Sequence, residues 1–366
     1  MLDKRAVLGA AAALAAGLAF PKPAIARGMI RWTMVTSWPR DLPGPGTAAQ
    51  ALAHRIGVLS DGRLEIRISA AGELVPAAGV FDAVSEGTVE LYHSVSAYWG
   101  SKSKAIPLFC SQPMGLSAME QTGWIRHGGG QELYDEMYAR FGLKPFIAGN
   151  SGPQWFGWFR KEIGSLDDLR GLRFRTAGLN GEVFSRLGAA VQFMGGMDLF
   201  QALRSGVVDA GEYVAPWTDI ALGLHQVAPF YYWPGVGEPS SAAECAVNLD
   251  RYNALSLDLK KVIALACQSV CDESLNDYNK YNPRALAQLA ATTSVELRKV
   301  PDPILIAYGN AAGNLMSEMR VDRDPLVARI VESFLAYRNQ MVSYMRYADS
   351  GVMNARLLDY RYPAAR

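Results

Sequence analysis

The chain has 366 residues, of which 50% are hydrophobic and 19% charged, with 36 Lys and Arg against 35 Asp and Glu. That length allows about two domains and a sizeable core, and a formal net charge of +1 with no basic block excludes nucleic acid or an anionic membrane surface as the main partner. Four cysteines, Cys110, Cys245, Cys267 and Cys271, are too few for a disulfide scaffold, and no internal run of about 18 uncharged apolar residues is present.

The first 26 residues read as an export signal. Lys4 and Arg5 form a basic start, residues 6–20 are apolar and uncharged, Pro21 and Pro23 break any helix, and Ala24-Ile25-Ala26 is a small-x-small cleavage pattern. An uncleaved anchor helix is the alternative, but 15 apolar residues are short for a span. Lys4-Arg5 is half of a twin-arginine signal, so the Sec and Tat routes both stay open. Cleavage after Ala26 leaves 340 residues; three cations and one anion are removed, so 33 face 34 and the net charge becomes −1. The expected location is the periplasm.

Residues 30–36 predict a strand that ends at Ser37-Trp38-Pro39. After the Gly44-Pro45-Gly46 turn, residues 47–59 form an amphipathic helix with Leu52, Ile56 and Leu59 on one face. A strand over 64–69, a helix over 80–85 and a strand over 89–94 follow, then two helical pieces within 116–141 separated by Gly128-Gly129-Gly130. A second unit starts near Leu143, with strands over 145–149 and 154–159, a capped turn at 165–169, a strand over 172–176 and a helix over 182–187. A strand over 190–194, a helix over 199–205 and a strand over 208–213 complete it. The alternation predicts α/β architecture with largely parallel sheets. From Ser256 long helices take over: 256–289 with Pro283 as a kink or break, then a strand over 295–300. Leu326, Ile330, Phe334, Tyr337, Met341 and Tyr344, spaced 4, 4, 3, 4 and 3, mark one face of a last helix. That face packs on its own domain or is donated to a second subunit.

No residue set asks for an enzyme. His54, His93, His127 and His225 have neither metal nor triad spacing, His54 reads as a surface residue, and no nucleophile elbow, phosphate loop or dinucleotide fingerprint occurs. The glycine run at 128–130 precedes a helix but follows no strand and lacks a loop lysine. Cys267 and Cys271 share a helix face at a spacing that suits a disulfide poorly, so buried free thiols are expected, and no zinc pattern is present.

What stands out is a sparse polar set at strand ends. Asn150 and Gln154 bring two carboxamides among glycines and aromatics. Arg173 and Arg175 share one strand face opposite Leu172 and Phe174. Glu212 sits at a strand-to-loop turn, and Glu238 follows the aromatic run at 230–234. A planar arginine fork suits a carboxylate, and carboxylates with a glutamine carbonyl suit a hard cation such as sodium or calcium.

Several motifs carry a family resemblance. Trp32-Thr33-Met34-Val35-Thr36-Ser37-Trp38-Pro39, Ala70-Ala71-Gly72-Glu73-Leu74-Val75, Leu169-Arg170-Gly171-Leu172-Arg173-Phe174-Arg175 and the segment 200–210, FQALRSGVVDA, occur in an order that resembles the periplasmic substrate-binding proteins of tripartite ATP-independent periplasmic (TRAP) transporters. The segments 149–156, 216–219 and 231–235 look most like the subgroup that binds 2-oxo acids such as pyruvate, or lactate with a metal. The resemblance implies an α/β, two-domain periplasmic-binding-protein-like fold with a ligand cleft between the domains, crossing segments and long C-terminal helices. On it, residues 27–151 with about 239–278 form the first domain. Residues 152–238 with about 279–325 form the second, and 326–366 form a helical extension suited to a homodimer. Arg175 is expected to grip the ligand carboxylate. Gln154, Glu212, the backbone of Tyr213 and Glu238 resemble the ligands of a sodium or calcium ion that bridges to the ligand. Asn150, Tyr98, Trp99 and the Tyr213 ring are the expected pocket wall. The subgroup usually has tryptophan where Tyr213 stands, which leaves pocket size open. The implied partners are a small carboxylate and the membrane subunits of the permease. A dicarboxylate, sugar acid, lactate or aromatic acid remains the alternative ligand, with Arg173 as the second cation a dicarboxylate needs, and a sensor accessory role is the alternative to transport.

Overall fold

The computed structural model describes residues 28–292 and 294–363, so the expected export signal lies outside the described residues. The chain opens with β1 (Ile30–Thr36), α1 (Pro45–Leu59), β2 (Leu64–Ser69), α2 (Val80–Ser85), β3 (Leu91–Val95), α3 (Ala118–His127), α4 (Gly130–Ala139) and β4 (Leu143–Asn150). Pro45 begins α1 where no amide donor is needed, and Leu52 and Ile56 are fully buried. Leu59, expected on the same face, is 47% exposed, because the helix ends there and its last turn leaves the core. Between α3 and α4 the chain turns at Gly129, whose φ of 82° is left-handed and suits glycine. A reciprocal cap starts α3: Ser117 accepts from the Glu120 amide, and Glu120 accepts from the Ser117 amide.

The middle of the chain supplies β5 (Gly157–Phe159), β6 (Arg173–Arg175), α5 (Gly178–Arg186), β7 (Ala190–Gln192), α6 (Gly196–Ser205), β8 (Ala210–Gly211), α7 (Pro216–Ala221) and β9 (Phe230–Trp233). The remainder is β10 (Ala242–Asn248), α8 (Leu249–Ala254), α9 (Leu257–Thr292), β11 (Glu296–Lys299), α10 (Asp302–Arg320), α11 (Pro325–Met345) and α12 (Asp349–Arg356). Five strands form a first sheet in the order β2-β1-β3-β10-β4, and six form a second in the order β11-β9-β5-β8-β6-β7.

The sheets are mixed rather than largely parallel. β10 runs antiparallel to both β3 and β4, and β5 runs antiparallel to β8 and β9. Sequence reasoning missed β10 because its seven residues, AAECAVN, are small and carry an acid. That acid, Glu244, is 1% exposed. It accepts from Tyr92 Oη (2.8 Å), Trp99 Nε1 (2.7 Å), Tyr138 Oη (2.7 Å) and Tyr134 Oη. Four donors offset the desolvation of one buried carboxyl, and burial still raises its pKa.

Both sheets are covered on both faces. The first lies between a core around Phe81, Phe109, Trp124 and Tyr138 and another around Met34, Leu52 and Ile263. The second shares the first of these cores through Phe159, Phe174 and Phe184, and buries Trp158, Leu199 and Tyr231 on its other face. The four cysteines are buried and free, as the spacing of Cys267 and Cys271 led us to expect.

Helix α9 runs for 36 residues through Pro283, one long helix as expected, with no break at the proline. At 1.5 Å per residue it is about 54 Å long. It touches both sheets' surroundings: Ser274 Oγ accepts from the Asn150 amide (2.8 Å) after β4, and Asn282 Oδ1 accepts from the Trp217 amide (3.0 Å) in α7. Helix α11 buries Leu326, Val327, Ile330, Val331 and Phe334 on its own chain, with Phe334 edge-on to Trp124 at 6.0 Å. Beyond Tyr337 the apolar positions emerge: Val342 is 55% and Tyr344 63% exposed. Among the described residues, no helix is long and apolar enough to cross a membrane.

Candidate ligand and cation site

A small cavity opens where the ends of β3, β4, β6 and β8 meet α1 and α9, with a water-accessible volume of about 60 Å³. That is several times the roughly 10–15 Å³ a cavity needs to hold one water, so the space is small but hydratable. Arg175, Gln154, Glu212, Tyr213, Glu238, Asn150 and Tyr98 all line it. Trp99 does not: its indole N–H is committed to Glu244 in the core, so this expected wall residue points away from the cavity.

Arg175 ends β6 and is 2% exposed. Its Nε and Nη2 both donate to the Met194 carbonyl at 3.1 Å, and Nη1 donates to the Glu212 carbonyl. Its bonded partners are thus neutral oxygens, and a buried guanidinium so held is set to receive an anion. Burial pulls its pKa down, but Tyr98, Glu212 and Tyr213 more than offset this and the group stays charged. Arg173 takes a different course. It forks onto Asp209 with Nε–Oδ2 at 2.8 Å, is 43% exposed, and does not line the cavity. It is spent on its own partner, which removes it as a second cation for a dicarboxylate. Arg175 is the one cationic residue among the described residues that line the cavity.

The two acids stand in low-dielectric surroundings. Glu212 is 3% and Glu238 7% exposed. Glu212 Oε2 accepts from Thr176 Oγ1 at 3.0 Å. Burial and then the neighbouring Glu238 push its pKa well up, against Arg175 and Thr176. Burial pushes Glu238 up to about 7, with Ser241 and Arg175 opposing. Burial and mutual proximity thus favour the protonated forms of both acids, and a cation bound to them displaces those protons.

Gln154 lies in the loop between β4 and β5, and its amide donates to the Glu238 carbonyl at 3.0 Å. Its side-chain Oε1 is buried and has no hydrogen-bond partner. An orphaned buried acceptor costs about 1–3 kcal/mol unless something fills its lone pairs. Asn150, by contrast, is fully engaged: Nδ2 donates to Ser240 Oγ (3.0 Å) and Oδ1 accepts from the Gly152 amide (2.8 Å). It shapes the wall. Tyr98 stands edge-on to Phe193 at 5.3 Å.

The Tyr213 ring lies 5.5 Å from the Arg175 guanidinium carbon and over Gly196. A Cβ at Gly196 would sit 1.9 Å from the ring, so glycine there sets where the ring rests. Sequence reasoning missed the α1 and α9 side of the wall, notably Trp38, Ala48 and Tyr278. Trp38 was quoted in a motif without a role. Tyr278 gave no signal, being one tyrosine in a polar helical stretch.

Gln154 Oε1, the two carboxylates and the Tyr213 carbonyl are all hard oxygens, a donor set suited to sodium or calcium and not to zinc. No group of three or more His, Cys, Asp or Glu among the described residues forms a metal cluster, and this set has only two acids. The orphaned amide oxygen and two buried acids that lack a counter-cation of their own fit a cation.

A cavity lined by one buried arginine, where two helix-covered α/β sheets meet, suits a small anionic solute. The chain belongs to the family of bacterial extracellular solute-binding proteins, family 7, the solute receptors of TRAP transporters, whose model matches residues 35–322. The family is periplasmic and works with membrane permeases; its members are transport receptors and not enzymes. A monocarboxylate 2-oxoacid-binding periplasmic protein of Nostoc sp. (strain PCC 7120) is 38% identical over 317 residues, 87% of this chain and 86% of that one. A TRAP periplasmic solute-binding protein from Pseudoalteromonas atlantica T6c, solved with bound sodium and pyruvate, superposes with a TM-score of 0.86 at 34% identity, covering 89% of this chain and 99% of that one. A TRAP transporter solute-binding protein from Bordetella bronchiseptica RB50, solved as a mixed occupancy dimer with calcium and picolinate, gives a TM-score of 0.87 at 34% identity, over 90% and 97% of the two chains.

Proposed function

We propose that the protein is the extracytoplasmic receptor of a TRAP transporter for a small monocarboxylate, a 2-oxo acid such as pyruvate or a longer homologue, which it delivers to the membrane permease. The observation that carries this is the buried Arg175, free of any carboxylate partner in its hydrogen bonds, lining one small cavity with Gln154, whose Oε1 is orphaned. Arg175 binds the ligand carboxylate. Gln154, Glu212, the Tyr213 carbonyl and Glu238 hold a cation, which supplies the positive charge that the ligand's carboxylate and 2-oxo oxygen need.

Charge arithmetic favours the cation. Burial resists ionisation of Glu212 and Glu238, and a bound cation offsets that cost; with both ionised, one arginine and one ligand anion, the charges sum to −2, which calcium neutralises and sodium halves. The named ligands of the Nostoc and Pseudoalteromonas relatives support the 2-oxo acid reading. The commitment of Arg173 to Asp209 speaks against a dicarboxylate.

In this reading the first sheet and its helices are one domain and the second sheet and its helices the other, 27–151 with about 239–278 and 152–238 with about 279–325. They close over the ligand by hinge motion at the crossing segments. The N-terminal 26 residues export the chain by Sec or Tat. The exposed apolar surface beyond Tyr337 serves a homodimer.

The test is a thermal-shift series on the mature chain against 2-oxo acids, 2-hydroxy acids, dicarboxylates and sugar acids, each with sodium, with calcium and with chelator. A binder at 100 times its dissociation constant adds about 2.7 kcal/mol. A shift by pyruvate or a longer 2-oxo acid that vanishes in chelator is the expected result. A shift from another class alone discards the ligand and cation assignments.

A further inference from the structure

Beneath the site, on the side away from the cavity, lies a second buried acid that the site does not use. Asp219, in α7, is 1% exposed. Its Oδ2 accepts from Trp158 Nε1 (2.9 Å) and Tyr231 Oη (2.8 Å). Its Oδ1 accepts from the Val214 amide at 3.1 Å. Burial pushes Asp219 up to about 6, with Trp158 and Tyr231 opposing, so it is ionised at pH 8.

The Val214 amide belongs to the peptide group whose carbonyl is that of Tyr213. In a trans peptide the N–H and C=O point in opposite directions across one rigid plane. A carboxylate that fixes the N–H therefore fixes the carbonyl, aimed the other way. It also draws the N–H proton toward itself, which leaves more negative charge on the carbonyl oxygen. Among the described residues, no backbone donor reaches that oxygen, while its neighbours are taken: Glu212 O by Arg175, Val214 O by the Trp155 amide and Ala215 O by the Asp219 amide. Of the four consecutive carbonyls from Glu212 to Ala215, that of Tyr213 alone has no hydrogen-bond donor among the described residues.

We propose that Asp219 is a positioning residue for the cation: through the Val214 N–H it aims and charges the Tyr213 carbonyl. This rests on the reading of the Tyr213 carbonyl as a cation ligand. Outer partners of metal ligands act in this way and their loss typically costs 10–100-fold in affinity.

The experiment is calorimetric titration of calcium alone into the chelator-treated mature chain at pH 8, for wild type, Asp219→Asn, Tyr231→Phe and Trp158→Phe. The last two remove donors from the same carboxylate, and so perturb its packing, but leave the Val214 contact in place. The expected result is a 10–100-fold loss of calcium affinity in Asp219→Asn and less than a threefold change in Tyr231→Phe and Trp158→Phe. Unchanged affinity in Asp219→Asn overturns the proposal. So does a tenfold loss in Tyr231→Phe or Trp158→Phe, which shows that the acid acts through general packing; this arm decides even where Asp219→Asn does not fold. Absence of calcium binding to the wild type overturns the cation site itself, a different failure.

Discussion

Arg175 is a buried charge, and in the proposed function its counter-charge arrives with the ligand. Truncating one partner of such a pair costs about 2–5 kcal/mol. Arg175→Ala is therefore expected to lower 2-oxo acid affinity by at least thirtyfold in calorimetry while the circular dichroism of the chain is unchanged; near-normal affinity would remove Arg175 from the site. A second expectation concerns the ring at the arginine's side. Gly196→Ala puts a methyl group where the Tyr213 ring lies, and overpacking of this kind costs about 1–3 kcal/mol. Ligand affinity should fall, and a smaller residue at 213 should restore it in the double variant; additive losses would show that the two positions do not meet. At this scale the polar residues that line the cavity were readable, since acids, an arginine and carboxamides at strand ends are few and each has a bounded set of uses. Residues whose role depends on what lies across the fold were not. Trp99 and Tyr98 are adjacent, and no property of the dipeptide says which one faces Glu244 and which the cavity.

Strand β3 shows how an element carries a pH response. His93 is fully buried, takes the Trp38 indole N–H on Nδ1 (2.8 Å) and lies 3.2 Å from the Ala148 carbonyl through Nε2, so it ties β1's end to β4 behind the cavity. Burial lowers it from 6.5 to about 4, opposed by Ala148. A depressed base stabilises the fold above its unfolded value, and that stability is lost as pH falls from about 6.5 toward 4. The wild-type advantage over His93→Gln should therefore shrink by about 3 kcal/mol between pH 7 and pH 4 in chemical unfolding. A constant difference across that range would mean the imidazole is not held neutral. Elements with a clear period or punctuation, such as α1, the α3–α4 pair and the capped turn at Ser165, follow from the sequence directly. β10 does not, because its identity is set by partners 90 to 150 residues away that satisfy Glu244 and pair its edges. α10 was passed over although Pro303 stands in its first turn. Sheet direction was the other loss: alternation of strands and helices says nothing of a strand that returns late between two earlier ones.

At the scale of the molecule, the C-terminal quarter divides into a half that packs and a half that does not. Tyr347 is 81%, Leu357 85% and Tyr362 83% exposed, too much apolar surface to leave in water without cause. Light scattering of the mature chain should give twice the monomer mass, and removal of residues 346–366 should give one mass with the cavity's ligand affinity kept. A monomeric full-length chain would end the dimer reading. The α/β, two-sheet plan with long late helices was legible in the order of the motifs, but the side on which each late helix lands was not, since that is decided by surfaces formed earlier in the chain.

Helix α9 has one more consequence. A rod of 36 residues bonded to Asn150 at one point and to Trp217 eight residues further on behaves as a leaf spring between the two halves. The proposed hinge motion flexes it, and that elastic work is the same whatever molecule sits in the cavity. Stiffness therefore scales the affinity for every ligand by one common factor, while the cavity wall sets their ranking. Pro283, which removes a backbone bond from the rod, is the natural place to tune it. A receptor built this way can be matched to scarce or abundant supply without changing what it selects.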